Sequence, residues 1–134
     1  SSYGRNFVKT MISLGKERES LNVVCDQRGT PTFARDLANA IMSIVKSNKF
    51  ESGIYNYSNE GECSWYEFAC EIFKLAKIDC KVNAITTDQY PTKAQRPAYS
   101  VLDKSKIKRV YGLEIPEWRV SLKECIKLLN SNID

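Results

Sequence analysis

Histidine is absent from the chain, which removes the commonest general base near neutral pH and the commonest metal ligand. Five cysteines, at 25, 63, 70, 80 and 125, form an odd number with no CxxC pair. Neither a zinc site nor a disulfide framework is indicated, and reduced core thiols are expected. No apolar run approaches the roughly 20 residues of a membrane span, and nothing at the start resembles a signal peptide. The expectation is a soluble, cytoplasmic protein without a membrane partner. GxGxxG, GxxxxGK[ST], HExxH and GxSxG are all missing. So is Tyr-x-x-x-Lys: in Tyr90-Pro91-Thr92-Lys93 the lysine comes one position early, and Ala94 stands where it would be needed. The chain therefore holds no complete catalytic constellation and no metal site.

What is present is ordinary for one modest globular domain: 134 residues, 43% hydrophobic and 27% charged, without repeats or low-complexity tracts. The start at Ser-Ser-Tyr-Gly, with no Met, suggests a piece of something longer. The formal charge of +4 is mild and both signs are interleaved, so a nucleic-acid partner is not expected. The densest basic stretch, Lys104 to Arg109, has the spacing of a solvated helix face.

Periodicity predicts five helices and a few short strands. Asn6 caps a first helix over Phe7, Met11 and Leu14, with Gly15 as its stop. Leu21 to Cys25 reads as a buried strand, and Phe33, Leu37, Ile41 and Ile44 as a second helix started by Thr30 or Thr32. Gly53 to Ser58 reads as a strand, giving a β-α-β order that favours parallel pairing. Ser64-Trp65-Tyr66-Glu67 is a capping box opening a third helix, with Trp65 as a core indole. Cys80 to Thr86 alternates as a strand, broken by Asp88 to Thr92, and Ala98 to Leu102 is a further extended piece. Asp103 caps a short helix ending near Gly112; Pro116 starts the last helix, lined by Trp118, Leu122, Cys125, Ile126 and Leu129.

Between the strand ending at Cys25 and the helix from Phe33 lies Asp26-Gln27-Arg28-Gly29-Thr30-Pro31-Thr32. Gly29 allows a bend, and Pro31 fixes its own φ while biasing Thr30 to an extended conformation. A stiff polar loop held between packed elements suits ligand positioning; the alternative is a connector whose side chains meet only water. Arg96, restrained by Pro97, has the fork geometry to grip a phosphate, or else to pair with a surface carboxylate.

Four ordered motifs carry a resemblance: Ser2-Tyr3-Gly4-Arg5-Asn6-Phe7-Val8-Lys9-Thr10-Met11; Val24-Cys25-Asp26-Gln27-x-Gly29-x-Pro31-Thr32-x-x-x-Asp36-Leu37-Ala38; Gly61-x-x-Ser64-Trp65-Tyr66-Glu67-Phe68-Ala69; and Arg96-Pro97-x-x-Ser100-Val101-Leu102-Asp103-x-x-Lys106. Together they resemble the dTDP-4-dehydrorhamnose reductases, which are extended short-chain dehydrogenase/reductases. The resemblance implies an α/β fold: the C-terminal part of a Rossmann-like enzyme, with a small mixed sheet and about five helices. It implies that residues 1–134 are a sugar-nucleotide-binding portion whose partner, an N-terminal Rossmann domain with the catalytic Tyr and Lys, precedes Ser1. It further implies a dTDP-sugar substrate, NADPH or NADH bound mainly by that domain, and, as in some members, Mg²⁺ and a homodimer. By resemblance Asn6, Asp26, Gln27, Gly29, Thr30, Pro31, Thr32 and Arg96 face the substrate, with Arg96 near the diphosphate and Asn6 at a helix start. Asp36, Trp65 and Asp103 are read as structural. Cys25 stands where the family often has Asn, and Arg28 at a variable position.

Two other readings compete: a non-catalytic regulatory subunit of the same fold, such as that of methionine adenosyltransferase, and another sugar-nucleotide reductase or epimerase.

Overall fold

The structure is a computed structural model that describes residues 4–90, 92 and 94–131. Ser2 and Tyr3 of the first motif, Pro91 of the break from Asp88 to Thr92, and Lys93 lie outside the described residues.

The chain opens with α1 (Phe7–Glu17), whose Asn6 cap accepts the Lys9 amide at 3.0 Å. The helix does not stop at Gly15. That residue is buried, and a Cβ there would lie 2.6 Å from Cε1 of Phe73, so glycine serves close packing against the neighbouring helix. β1 (Ser20–Val24) follows, then a loop with the two-residue β2 (Arg28–Gly29) and α2 (Ala34–Lys46). β3 (Cys63–Ser64) leads into α3 (Trp65–Ala76), and the predicted capping box is complete: Ser64 Oγ accepts the Glu67 amide at 3.1 Å and Glu67 accepts the Ser64 amide at 2.7 Å. β4 (Lys81–Ile85), a 3₁₀ turn (Thr87–Gln89), α4 (Ser105–Tyr111) and α5 (Trp118–Ser131) complete the chain.

β1 pairs with β4 in parallel, Leu21 opposite Val82 and Val23 opposite Ala84. β2 pairs antiparallel with β3, and on its other edge the Arg28 amide donates to Ala98 at 2.8 Å while Arg28 accepts the Ser100 amide at 2.9 Å. The core gathers Met11 from α1, Leu21 and Val23 from β1, Phe68, Ala69, Ile72 and Phe73 from α3, and Trp118, Leu122 and Ile126 from α5. Each large side chain buried here contributes roughly 2 kcal/mol from water exclusion.

Besides Gly15, four expectations need correction. Gly53 to Ser58 joins neither sheet, and the parallel partner of β1 is β4. A strand pattern is local, whereas a strand needs a partner, and among the described residues this segment has none; Ile54 is 89% exposed. The stretch from Lys104 to Arg109 is a solvated face only in part: Lys108 and Arg109 are exposed. Lys104 is buried and lies 3.7 Å from Glu60, Lys108 pairs with Glu60 at 2.8 Å, and Lys106 donates to the Ile54 carbonyl while sitting over the Tyr55 ring. These lysines moor the segment before β3. The start of α2 is not capped by a threonine: Asn59 Oδ1 accepts the Phe33 amide at 2.8 Å, and Thr30 Oγ1 donates to the Gly61 carbonyl. Finally, the core indole is Trp118, 2% exposed, whereas Trp65 is 37% exposed.

Asp103 does act at the start of α4, accepting the Ser105 amide at 2.8 Å. The apolar side of α2 is largely open, with Leu37, Ile41, Met42 and Val45 all exposed. No helix among the described residues is long and apolar enough to cross a membrane.

Candidate functional site

The loop after β1 is tied down by one threonine. Thr87 donates its amide to Asp26 Oδ2 at 3.0 Å and its hydroxyl to Oδ1 at 2.7 Å, and the same hydroxyl accepts Gln27 Nε2 at 3.0 Å. The backbone N–H of Thr87 is the main reason the Asp26 carboxyl lies below its ordinary range, with the hydroxyl second. Asp26 is thus a loop-to-loop tie, and it lines none of the three recesses described next.

Three adjoining recesses surround Trp65. The largest, about 760 Å³, lies between α1, β1 and the turn after β4, and Gln27, Tyr90 and Arg96 are among its walls. The second, about 310 Å³, is bounded by Gln27, Gly29, Thr30, Pro31, Ser64, Arg96 and Ser100. The third, about 240 Å³, has Asn6, Phe7, Pro31, Thr32 and Phe68 on its sides. Gln27 and Arg96 border the first two, Pro31 and Phe68 the last two, and Trp65 all three.

Backbone pairing builds the second recess. Gly29 sits so close to the Ala98–Ser100 stretch that a Cβ would fall 2.8 Å from Ser100 Oγ. Arg28 is already engaged: its guanidinium meets Glu62 at 3.0 Å and Glu67 at 3.3 Å, and Tyr99 Oη donates to the other Glu62 oxygen at 3.0 Å. The hydrogen bond to Glu62, followed by the charge of Glu67, raises the Arg28 pKa. Arg96 is exposed and has no hydrogen-bond or ion-pair partner among the described residues.

Of the eight predicted positions, Gln27, Gly29, Thr30, Pro31 and Arg96 meet at the second recess, and Asn6 and Thr32 stand at the third. Sequence reasoning missed Trp65, which it assigned to the core. The signal was available: Trp65 directly follows the Ser64 cap, at a helical position where a side chain projects past the end of the helix.

Burial pushes the Cys63 thiol up to about 12, too high for a nucleophile near neutral pH. The five cysteines are all free. Among the described residues no cluster of three or more His, Cys, Asp or Glu is placed to hold a metal ion.

Comparison with known proteins places this geometry. A family model described as the RmlD substrate binding domain matches residues 1–131. A dTDP-4-dehydrorhamnose reductase of Aggregatibacter actinomycetemcomitans is 43% identical over 90% of this chain and 45% of its own length. The crystal structure of a dTDP-4-dehydrorhamnose reductase from Clostridium acetobutylicum superposes with a TM-score of 0.89 at 46% identity, over 95% of this chain and 45% of that one. A third, from Bacillus anthracis in complex with NADP, gives 0.83 at 42% identity over 91% of this chain and 42% of that one. The chain thus spans somewhat under half the length of the relatives it matches. With the match running from its first residues to α5 and the fold superposing over nearly all of it, the chain belongs to the RmlD substrate-binding-domain family, the C-terminal part of an extended short-chain dehydrogenase/reductase fold.

Proposed function

We propose that this chain is the sugar-nucleotide-binding portion of a dTDP-4-dehydrorhamnose reductase, an enzyme that reduces dTDP-4-dehydro-L-rhamnose to dTDP-L-rhamnose with NADPH or NADH for cell-surface polysaccharide. The observation that carries this reading is the superposition on the Clostridium reductase at 46% identity. The chain's own chemistry agrees: a stiff loop, a guanidinium without a partner among the described residues and a partly open indole border two adjoining recesses, with no acid–base pair among them.

In this reading the bound nicotinamide supplies hydride to C4 of the sugar, and the N-terminal half supplies the proton donor. This chain orients. Arg96 takes the diphosphate, Gln27 and Thr32 border the nucleoside and sugar, and Asn6 keeps the start of α1 turned toward them. Fixing a substrate against its cofactor can supply several kcal/mol of the barrier, on the order of the gain from orientation alone. The open apolar side of α2 belongs, in the same reading, against the N-terminal half rather than against a second copy in a homodimer. The chain spans 45% of the Clostridium reductase, which leaves that half to cover it. No metal enters the reading, and the reaction goes with a cytoplasmic location, where nucleotide sugars are made.

The test is turnover by the full-length protein, followed by NADPH absorbance, with dTDP-4-dehydro-L-rhamnose beside UDP- and GDP-linked 4-keto sugars. Oxidation of NADPH with the dTDP sugar is expected. Turnover with only a UDP or GDP sugar would assign another reductase, and binding without turnover on any of them would assign a regulatory protein.

A further inference from the structure

Four aromatic rings run in contact from the core to the surface. Trp118 meets Phe68 edge to face at 5.6 Å, Phe68 stacks on Phe7 at 5.4 Å with 13° between planes, and Phe7 lies 4.9 Å from Trp65. The innermost ring is 2% exposed and the outermost 37%. An indole supported this way keeps its plane fixed, and the loss of side-chain freedom that usually opposes stacking on a surface aromatic is already met.

Trp65 is partly open to solvent at the edge of the recesses. Trp65 borders all three recesses, and two of them also hold Gln27 and Arg96, which has no partner among the described residues. A fixed aromatic plane beside a free guanidinium and a carboxamide matches a flat heteroaromatic ring joined to a diphosphate. We propose that Trp65 is the stacking platform for the ring of a bound nucleotide, the thymine base of the sugar nucleotide being its occupant. This rests on the sugar-nucleotide reading above and adds to it the residue that holds the base. The second source of such a ring in this enzyme is NADP.

The experiment uses the full-length protein and calorimetric titration with thymidine diphosphate, pyrophosphate and NADP⁺, for wild type, Trp65→Phe and Trp65→Leu. Wild type should bind thymidine diphosphate well above pyrophosphate. Trp65→Leu should raise the thymidine diphosphate Kd about tenfold, the usual size of one base–aromatic stack, with NADP⁺ unchanged, and Trp65→Phe should retain most of the affinity. A Trp65→Leu protein that binds thymidine diphosphate as wild type does would overturn the platform, and a loss confined to NADP⁺ would overturn the thymine assignment. If Trp65→Leu does not fold, wild-type binding of thymidine diphosphate no tighter than pyrophosphate refutes the proposal on its own. Wild type that ignores thymidine diphosphate altogether would instead remove the sugar-nucleotide reading beneath it.

Discussion

The carboxamide of Asn59 donates to the Asp36 carboxylate at 2.6 Å, joining a completely buried residue to the first turn of α2. The same nitrogen lies 2.9 Å from Ser121 Oγ on α5 and 3.1 Å from the Pro116 carbonyl, while its oxygen accepts the Phe33 amide. Asp36 also accepts the Ser121 hydroxyl. One side chain therefore couples the end of the Pro31–Thr32 loop to the last helix. Asn59→Ala leaves the Phe33 amide without its acceptor and takes one hydrogen-bonding neighbour from Asp36, and a loss of about 1–3 kcal/mol is expected. Thermal unfolding of the full-length protein measures it; a Tm within a degree of wild type would contradict it.

Gly15→Ala should destabilise despite a better helix propensity. The added methyl would press on Phe73, itself 3% exposed, and on Ile78 Cγ2 at 3.0 Å. Overpacking of this kind costs about 1–3 kcal/mol, against a propensity gain of about 1 kcal/mol. Denaturation midpoints of the two proteins compare the terms, and a net gain in stability would mean that α1 and α3 can part without cost.

Acid should unfold the protein through carboxylates that the fold holds below their ordinary range. Asp26 is lowered by the Thr87 amide, Glu60 by the Lys108 hydrogen bond, Glu67 by the Ser64 amide and Asp103 by the Ser105 amide. Each binds its proton more readily when unfolded. Their contribution is complete above the unfolded values, 3.8 for Asp and 4.5 for Glu, and is lost as pH falls through and below them. Tm should be level from neutral pH to about 5 and then decline, and Asp26→Asn should make the decline shallower. A Tm that does not change between about pH 5 and pH 3 would refute this.

The two loop arginines should behave differently. Arg96 has no partner among the described residues, so Arg96→Ala in the full enzyme should raise KM for the sugar nucleotide about tenfold or more and leave Tm unchanged. Arg28 is held by Glu62 and Glu67, both partly exposed, and Arg28→Ala should lower Tm only slightly. An unchanged KM in Arg96→Ala would count against the diphosphate role.

The chain by itself should show no reductase activity, because it contains no Tyr-x-x-x-Lys pair. Measurable NADPH oxidation by residues 1–134 alone would refute that.

Local rules were readable in the sequence, and partners were not. The Asn6 cap, the Ser64–Glu67 box and the stripes of α1, α3 and α5 follow from spacing alone, since each is settled within four residues along the chain. The errors fall where a residue's role depends on something distant. Gly15 looks like a helix stop until Phe73 is seen against it, and the α2 start looks threonine-capped until Asn59 arrives from 26 positions away. Trp65 and Trp118 both fall on the apolar stripe of their helices in sequence, and the packing of α3 on α5 puts Trp118 inside. In the site, the loop and Arg96 were legible as chemistry, whereas the withdrawal of Asp26 toward Thr87 depends on β1 lying beside β4.

The contrast between the two indoles gives the molecule its own optical gauge. Trp118, sealed at 2% exposure, should emit at short wavelength and resist iodide or acrylamide, whereas Trp65 at 37% should emit further to the red and be quenched first. The quenchable fraction of the light thus reports on the concavity and the protected fraction on the core, so filling of one and melting of the other can be followed separately in a single unlabelled sample.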